Sequence, residues 1–184
     1  PSYVHSEKRS MFRFLICSVG MALILFHSKG QTPVPITDFQ TIRTLVDSNR
    51  FEMQYTIATT HHTFYLQPMT PYTDQHIRIS QDSAFIVIRD NRAAGYLPYY
   101  GSGYAMPQTG PKGIVFSNTM TDLNKSIKGK GRHPSISYQF SVAGKNDAYK
   151  INIDIRYNGQ CYLYINSLRR SPISYIGQIV EKVF

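Results

Sequence analysis

The stretch Ser135–Ile165, which reads SISYQFSVAGKNDAYKINIDIRYNGQCYLYI, decides the fold of this chain. Apolar and polar side chains alternate through most of it, and the turn-forming residues Gly144–Asp147 and Asn158–Gly159 interrupt the alternation twice. Because successive side chains of a β-strand point to opposite faces, this period predicts three strands that each bury one face. Short turns join them, so we predict an antiparallel meander whose other face lies in water.

The loop between the second and third of these strands sets their register. A two-residue turn would pair Ile155 with Tyr162 and would direct the apolar residues of the third strand into water. A three-residue loop, Tyr157–Gly159, pairs Ile155 with Cys161 instead, with Gly159 left-handed as a bulge. Since a slip of one residue exchanges the two faces of a strand, only the three-residue loop gathers the apolar side chains on one face, and we predict it.

The same criteria predict further strands and one helix around the meander. Strands are predicted at Phe51–Ala58, Ser83–Arg89, Ile114–Phe116 and Ile173–Val183, and a polar strand with an exposed turn at Asn118–Arg132. Gly177 in the last strand predicts a bulge or a close crossing of two backbones. Thr37–Gln40 has the pattern of a capping box, and the spacing after it predicts a helix of about three turns that ends near Ser48–Asn49.

These elements predict a mainly β fold. We expect a single antiparallel β-sandwich or partly open barrel, with the N-terminal α-helix packed on it. Neither a repeat nor a long linker divides residues 36–184, which we expect to form one β-rich domain after an extended lead-in at residues 31–35.

Residues 11–30 are predicted to be a signal peptide. Met11 begins a short basic start, and the apolar run Phe14–Phe26 is shorter than the roughly 20 residues that a membrane span needs. The small residues of Ser28–Gly30 suit cleavage. We therefore expect residues 1–10 to be unstructured upstream sequence and the remainder to be exported, to the periplasm or the outer envelope and cell surface. An uncleaved anchor is the alternative, so membrane contact is expected only through this segment.

The basic character of the chain does not indicate a nucleic-acid partner. The formal net charge is +9, and four of the positive charges lie in Lys125–Arg132. Nucleic-acid binding would require aromatic residues among these charges or a known module, and export makes such a partner unsuitable. We interpret Lys125–Arg132 as a solvated turn, with weak attraction to anionic lipid or polysaccharide as the alternative.

Histidine, cysteine and acidic residues show no catalytic or metal-binding pattern. Adjacent histidines on a strand point to opposite faces, so His61 and His62, even with His76 and His133, make a poor ligand set, and we predict no metal. Cys161 is interpreted as a small buried hydrophobe. The aspartates are scattered, mostly at turns, and no nucleophile elbow or phosphate loop is present. We therefore assign no catalytic residue and no cofactor.

The stretch Gly95–Tyr104 holds four tyrosines, three glycines and a proline, and it is the candidate binding site. Tyrosine offers a flat apolar ring with a polar tip, so the group could stack against a sugar or a peptide. The preferred interpretation is that the rings close one end of the β core while Pro98 and the glycines shape the bend. The candidate ligand-binding residues are Tyr96, Tyr99, Tyr100 and Tyr104.

Several stretches together resemble one known family. They are Tyr96–Gly101, Gly113–Phe116, Asn158–Gly159, Tyr162–Asn166, Arg169, Ile173–Tyr175 and Gly177. They resemble DUF4251, a family of domains of unknown function in secreted proteins and lipoproteins of Gram-negative gut anaerobes. Tyr100 stands where that family usually carries phenylalanine. The resemblance implies an envelope location and a compact β-rich domain, and it brings neither catalytic residues nor a cofactor.

The function predicted from these observations is a non-catalytic binding or interaction module of the cell envelope, with a glycan, a peptide or an envelope component as partner. The first alternative is a hydrolase that acts on envelope polymers or glycans, which would need two carboxylates in one cleft. The second is a structural envelope component without a pocket.

Overall fold

Residues 33–60, 75–80, 83–100, 113–129 and 131–181 are the part of the chain described by the structure, a computed structural model. The predicted signal peptide, His61, His62 and Tyr104 lie outside these residues. The elements in chain order are α1 (Phe39–Asp47), β1 (Arg50–Thr60), β2 (Gln75–Arg78), β3 (Phe85–Arg89), β4 (Arg92–Pro98), β5 (Gly113–Lys128), β6 (Ser135–Gly144), β7 (Ala148–Arg156), β8 (Gln160–Ser167) and β9 (Ile173–Val180).

The strands form a closed barrel, which corrects the prediction of a sandwich or a partly open barrel. Each strand from β3 to β8 pairs antiparallel with the next one in the chain. Strand β3 also pairs with β1, and β9 returns to pair with β1 as well. Eight strands thereby close a ring, and β2 adds to the C-terminal half of β1. Closure is favourable because it leaves no strand edge of the ring unpaired. The mainly β, antiparallel class is confirmed.

The register predicted for the meander is confirmed. Ile155 pairs with Cys161 and Ile153 with Leu163, and all four side chains are buried. Gly159 has a φ of +83°, and its N–H donates to the carbonyl of Arg156 over 2.9 Å, so the loop has the predicted left-handed bulge. The local pattern decided between the two candidate loops because a slip of one residue would expose isoleucine and leucine.

Strand β1 keeps its predicted alternation only as far as Tyr55. Its pairing with β9 shifts between Tyr55 and Ile57, so Thr56 is an extra residue and the phase of the strand changes. As a result Ala58, which the simple alternation put on the wet face, is fully buried. Gly177 pairs with Tyr55 directly beside this shift, which confirms the close crossing predicted there.

Strand β5 is longer than predicted. Ile114–Phe116 and the polar strand that begins at Asn118 were predicted as separate strands, yet they belong to one strand of 16 residues, Gly113–Lys128. Two irregularities interrupt its pairing with β6, the first between Phe116 and Met120 and the second between Thr121 and Asn124, and Asp122 within the second has a φ of +53°. The second irregularity adds one residue to β5 relative to β6 and so shifts the phase of its side chains, and no single period of two runs through the whole strand.

The N-terminal helix closes the end of the barrel at which β1 begins and β5 ends. The N-cap is Asp38, one residue after the Thr37 of the predicted capping box, and hydrogen bonds from the hydroxyl and the amide of Thr41 lower the pKa of the Asp38 carboxylate. Ile42 and Val46, the buried residues of the helix, have fully buried side chains. Within the described residues, no helix is both long and apolar enough to cross a membrane.

Lys125 corrects the interpretation of the basic stretch as a solvated turn, because it belongs to β5. Its Nζ donates to the carbonyls of Val46 (2.8 Å) and Asp47 (3.1 Å), at the end of α1 where carbonyls lack intrahelical partners. Burial lowers the pKa of this ammonium, and the Asp47 carboxylate opposes that shift. The side chain therefore helps to hold the helix on the barrel.

Candidate functional site

The tyrosine-rich bend lies at the barrel end opposite α1, and its tyrosines face different surroundings. Tyr96 points outward from β4, since its neighbour Leu97 is fully buried, and its ring lies over Gly113 of the adjacent strand. Tyr96 and Tyr100 are 39% and 44% exposed, so both present ring surface to solvent. Tyr99 is half-buried.

Two phenolic hydroxyls tie this bend to the segment that follows β8. Tyr99 Oη donates to the carbonyl of Ser171 over 3.0 Å, and Tyr175 Oη donates to the carbonyl of Pro98 over 2.8 Å. Tyr175 is fully buried, and burial raises the pKa of its hydroxyl, which stays protonated as a donor. The geometry of Tyr99 and Tyr175 supports the interpretation that aromatic rings close this end of the core.

A buried ion pair completes the closure of this barrel end. The guanidinium of Arg170 lies 5.1 Å from the centre of the Tyr99 ring, donates to the carbonyl of Gly113 over 3.1 Å, and approaches Asp147 Oδ2 at 3.8 Å. Asp147 Oδ2 also accepts from the hydroxyl of Ser167 over 2.6 Å. The Tyr99 ring therefore already has a cation as its partner.

A second candidate site, which sequence reasoning missed, is a groove of about 350 Å³ on the outside of the barrel. Its wall includes outward-facing residues of β6, β7 and β8, which alternate with core residues along these strands. Six that define its chemistry are Ser137, Gln139, Asn152, Asp154, Tyr162 and Tyr164. None of the described tyrosines of the bend lines the groove. The groove offers hydroxyls, amides, two outward-facing aromatic side chains, one carboxylate and the ammonium of Lys128.

Tyr162 is held in place within the groove. The guanidinium of Arg156 lies 4.3 Å from its ring centre, and its hydroxyl donates to Gln160 Oε1 over 3.0 Å. Both partners come from the same hairpin as Tyr162. The ring is therefore oriented before any ligand enters, which lowers the entropic cost of binding.

Asp154 has an unsatisfied oxygen in this groove. Its Oδ1 is buried and has no hydrogen-bond partner. Among the described residues, the hydroxyl of Thr60 is the only other buried side-chain oxygen or nitrogen without a partner. Asp154 pairs with Ser137 of β6 on one side and with Tyr162 of β8 on the other. Buried polar atoms are nearly always hydrogen-bonded in native proteins, so this atom calls for an explanation.

The described histidines have local partners, and the cysteine is buried. Nδ1 of His76 lies 2.9 Å from the Thr59 hydroxyl, and the ring centre of His133 lies 4.6 Å from that of Tyr157. Cys161 is fully buried, as predicted, and burial raises the pKa of its thiol. Across the described ranges, no group of three or more histidine, cysteine and acidic residues could hold a metal ion.

Comparisons with other proteins identify relatives by family and fold. The family described as "Domain of unknown function (DUF4251)" matches residues 36–179. A crystal structure of a DUF4251 family protein from Bacteroides eggerthii DSM 20697 is similar, with a TM-score of 0.53 and 14% sequence identity over 77% of this chain and 86% of that one. At that identity the likeness concerns the fold alone. No curated protein matches the sequence significantly.

Proposed function

Because this chain belongs to the DUF4251 family, whose description names no activity, we propose a function from the geometry of its own site. The domain is a non-catalytic binding module that takes a polar ligand into the outer groove of β6–β8. The observation that carries this proposal is the combination of the groove's size with its lining of hydroxyls, amides and two tyrosines. Concave sites with aromatic surface and a few convergent polar groups are where proteins bind small ligands.

A non-catalytic role fits the groove better than the alternative of a hydrolase. A glycosidase places two carboxyl groups on either side of the bond that it breaks. Asp154 is the only carboxylate among the described residues that line the groove. This arrangement favours recognition of a ligand over its cleavage.

The binding experiment uses thermal melting of the full chain with three panels: neutral oligosaccharides, short peptides and phospholipid vesicles. We expect one panel to raise the melting temperature saturably, because a ligand that binds only the folded state adds about 2.7 kcal/mol of stability at a hundred times its Kd. Asn152→Trp, which fills the groove, should abolish the shift. Ser117→Trp, at an exposed position of β5 outside the groove lining, is the matched control and should retain it.

The same measurements decide between the groove and the tyrosine-rich bend. Tyr100→Ser removes an exposed ring of the bend, and we expect it to leave binding unchanged. Loss of binding in Tyr100→Ser but not in Asn152→Trp would move the site to the predicted tyrosines. No shift with any panel would refute the binding module, and release of shortened oligosaccharides would replace it with the hydrolase.

We also propose that the domain functions in the cell envelope, supported by the short apolar run Phe14–Phe26 after a basic start. Expression of the full chain in a Gram-negative host should therefore place the domain in the periplasmic or envelope fraction. Leu23→Arg puts a charge into the apolar run and should retain the protein in the cytoplasm, whereas Ser10→Arg should not. Cytoplasmic recovery of the unmodified chain would argue against export.

A further inference from the structure

We propose that Asp154 determines which ligand the groove accepts, and that this ligand is a neutral saccharide with two adjacent hydroxyl groups. The inference rests on the proposed function and names the class of ligand for that site. It starts from the one described groove residue that has a buried side-chain oxygen or nitrogen without a hydrogen-bond partner, Asp154.

Asp154 lies in the wall of the groove, and its Oδ1 is itself shielded from solvent. It lies within β7, with Asn152 and Arg156 two residues away on the same outer face, and its side chain forms part of the groove wall. The residue is half-buried, and its Oδ1 has no donor. Rotation about the Cβ–Cγ bond of an aspartate is soft, so either oxygen can turn toward the groove.

The chemistry of the carboxylate limits the partner to a donor of hydrogen bonds. An ionised carboxylate only accepts, and its two oxygens can receive two parallel donors at once. Two hydroxyls on neighbouring carbon atoms present such a pair of donors. A ligand with adjacent hydroxyls would therefore satisfy the oxygen that has no donor in the free domain.

The surrounding charges favour a neutral ligand over a cationic one. Lys128 lines the same groove, and the guanidinium of Arg156 lies against Tyr162 beside Asp154. Two positive charges near one carboxylate repel an ammonium or guanidinium group, but they do not oppose hydroxyls. The ring of Tyr164, which is 39% exposed, adds a flat surface for the apolar face of a sugar.

The test measures binding of four probes to the full chain by calorimetry. Cellopentaose and maltopentaose carry adjacent hydroxyls on every residue, chitopentaose has an acetamido group in place of one of them, and pentalysine is cationic. We expect the first two to bind, chitopentaose to bind more weakly, and pentalysine not to bind. Asp154→Asn should weaken binding at least about tenfold, because hydrogen bonds to a charged acceptor are the stronger ones.

Asp122→Asn is the matched control, since Asp122 is an exposed carboxylate of β5 that does not line the groove. It should bind as the unmodified chain does, and both variants should keep their melting temperatures. Equal binding by Asp154→Asn and the unmodified chain would overturn the role of Asp154 while leaving the binding module intact. Binding of pentalysine alone, or of none of the four probes, would overturn the assignment to a saccharide. The peptide and vesicle panels then decide separately whether the groove binds anything.

Discussion

Gly177→Ala is expected to destabilise the domain by about 3 kcal/mol, at the upper end of the range for overpacking a core. A Cβ at this position would overlap the carbonyl of Gln54 and would lie 2.7 Å from the Cα of Tyr55. These are backbone atoms of the strand that closes the barrel, so no side chain can move aside to make room. Urea unfolding followed by circular dichroism measures the loss.

Gly131→Ala is the control for the loss of a glycine as such. Apart from its two chain neighbours, a Cβ there would have no heavy atom of the described residues within 4 Å, but the φ of +99° is unfavourable for alanine. Its cost should therefore be limited to about 1 kcal/mol of backbone strain. If Gly177→Ala cost no more than Gly131→Ala, the close contact of β1 with β9 would not limit the stability of the barrel.

Arg170→Met is expected to cost about 3 kcal/mol, because it leaves the buried carboxylate of Asp147 without its cation. The two side chains are only 11% and 3% exposed, and Ser167 would remain as the hydrogen-bond donor to the carboxylate. Methionine keeps much of the side-chain volume, so the loss reports mainly on charge and hydrogen bonding. Urea unfolding measures it, and Arg170→Met combined with Asp147→Asn should recover part of the stability.

The matched control is Arg50→Met, which breaks a pair of the same residue types at the surface. Arg50 and Asp90 approach at 3.2 Å, closer than the 3.8 Å of the buried pair, but their side chains are 70% and 66% exposed. Solvent screens such pairs, so the cost should stay below about 1 kcal/mol. A larger loss for Arg50→Met than for Arg170→Met would mean that distance, and not burial, decides the strength of these pairs.

The candidate sites were predictable to different degrees. Composition alone pointed to the bend at Gly95–Tyr104, but the partners of Tyr99 come from Arg170 and Ser171, far along the chain. The polar residues of the groove were predicted to lie on the outer face of the sheet, as Asn152 and Asp154 do, although both are half-buried. They line one groove because the order of strands around the barrel brings them together. The alternation within one strand does not show which strands are neighbours. A run of outward hydroxyls, amides and tyrosines in neighbouring strands is the signal that could have indicated it.

By itself, the sequence determined the antiparallel β class, the helix and the register of the β7–β8 hairpin. These depend on neighbours in the chain: the alternation that brings Ile155 opposite Cys161, and a glycine at the left-handed position 159. Only the tertiary structure decided the closure of the barrel, the full length of β5 and the groove. Closure joins β1 to β9 across most of the domain, and bulges shift the phase of β1 and β5, so both depend on contacts that no local pattern contains.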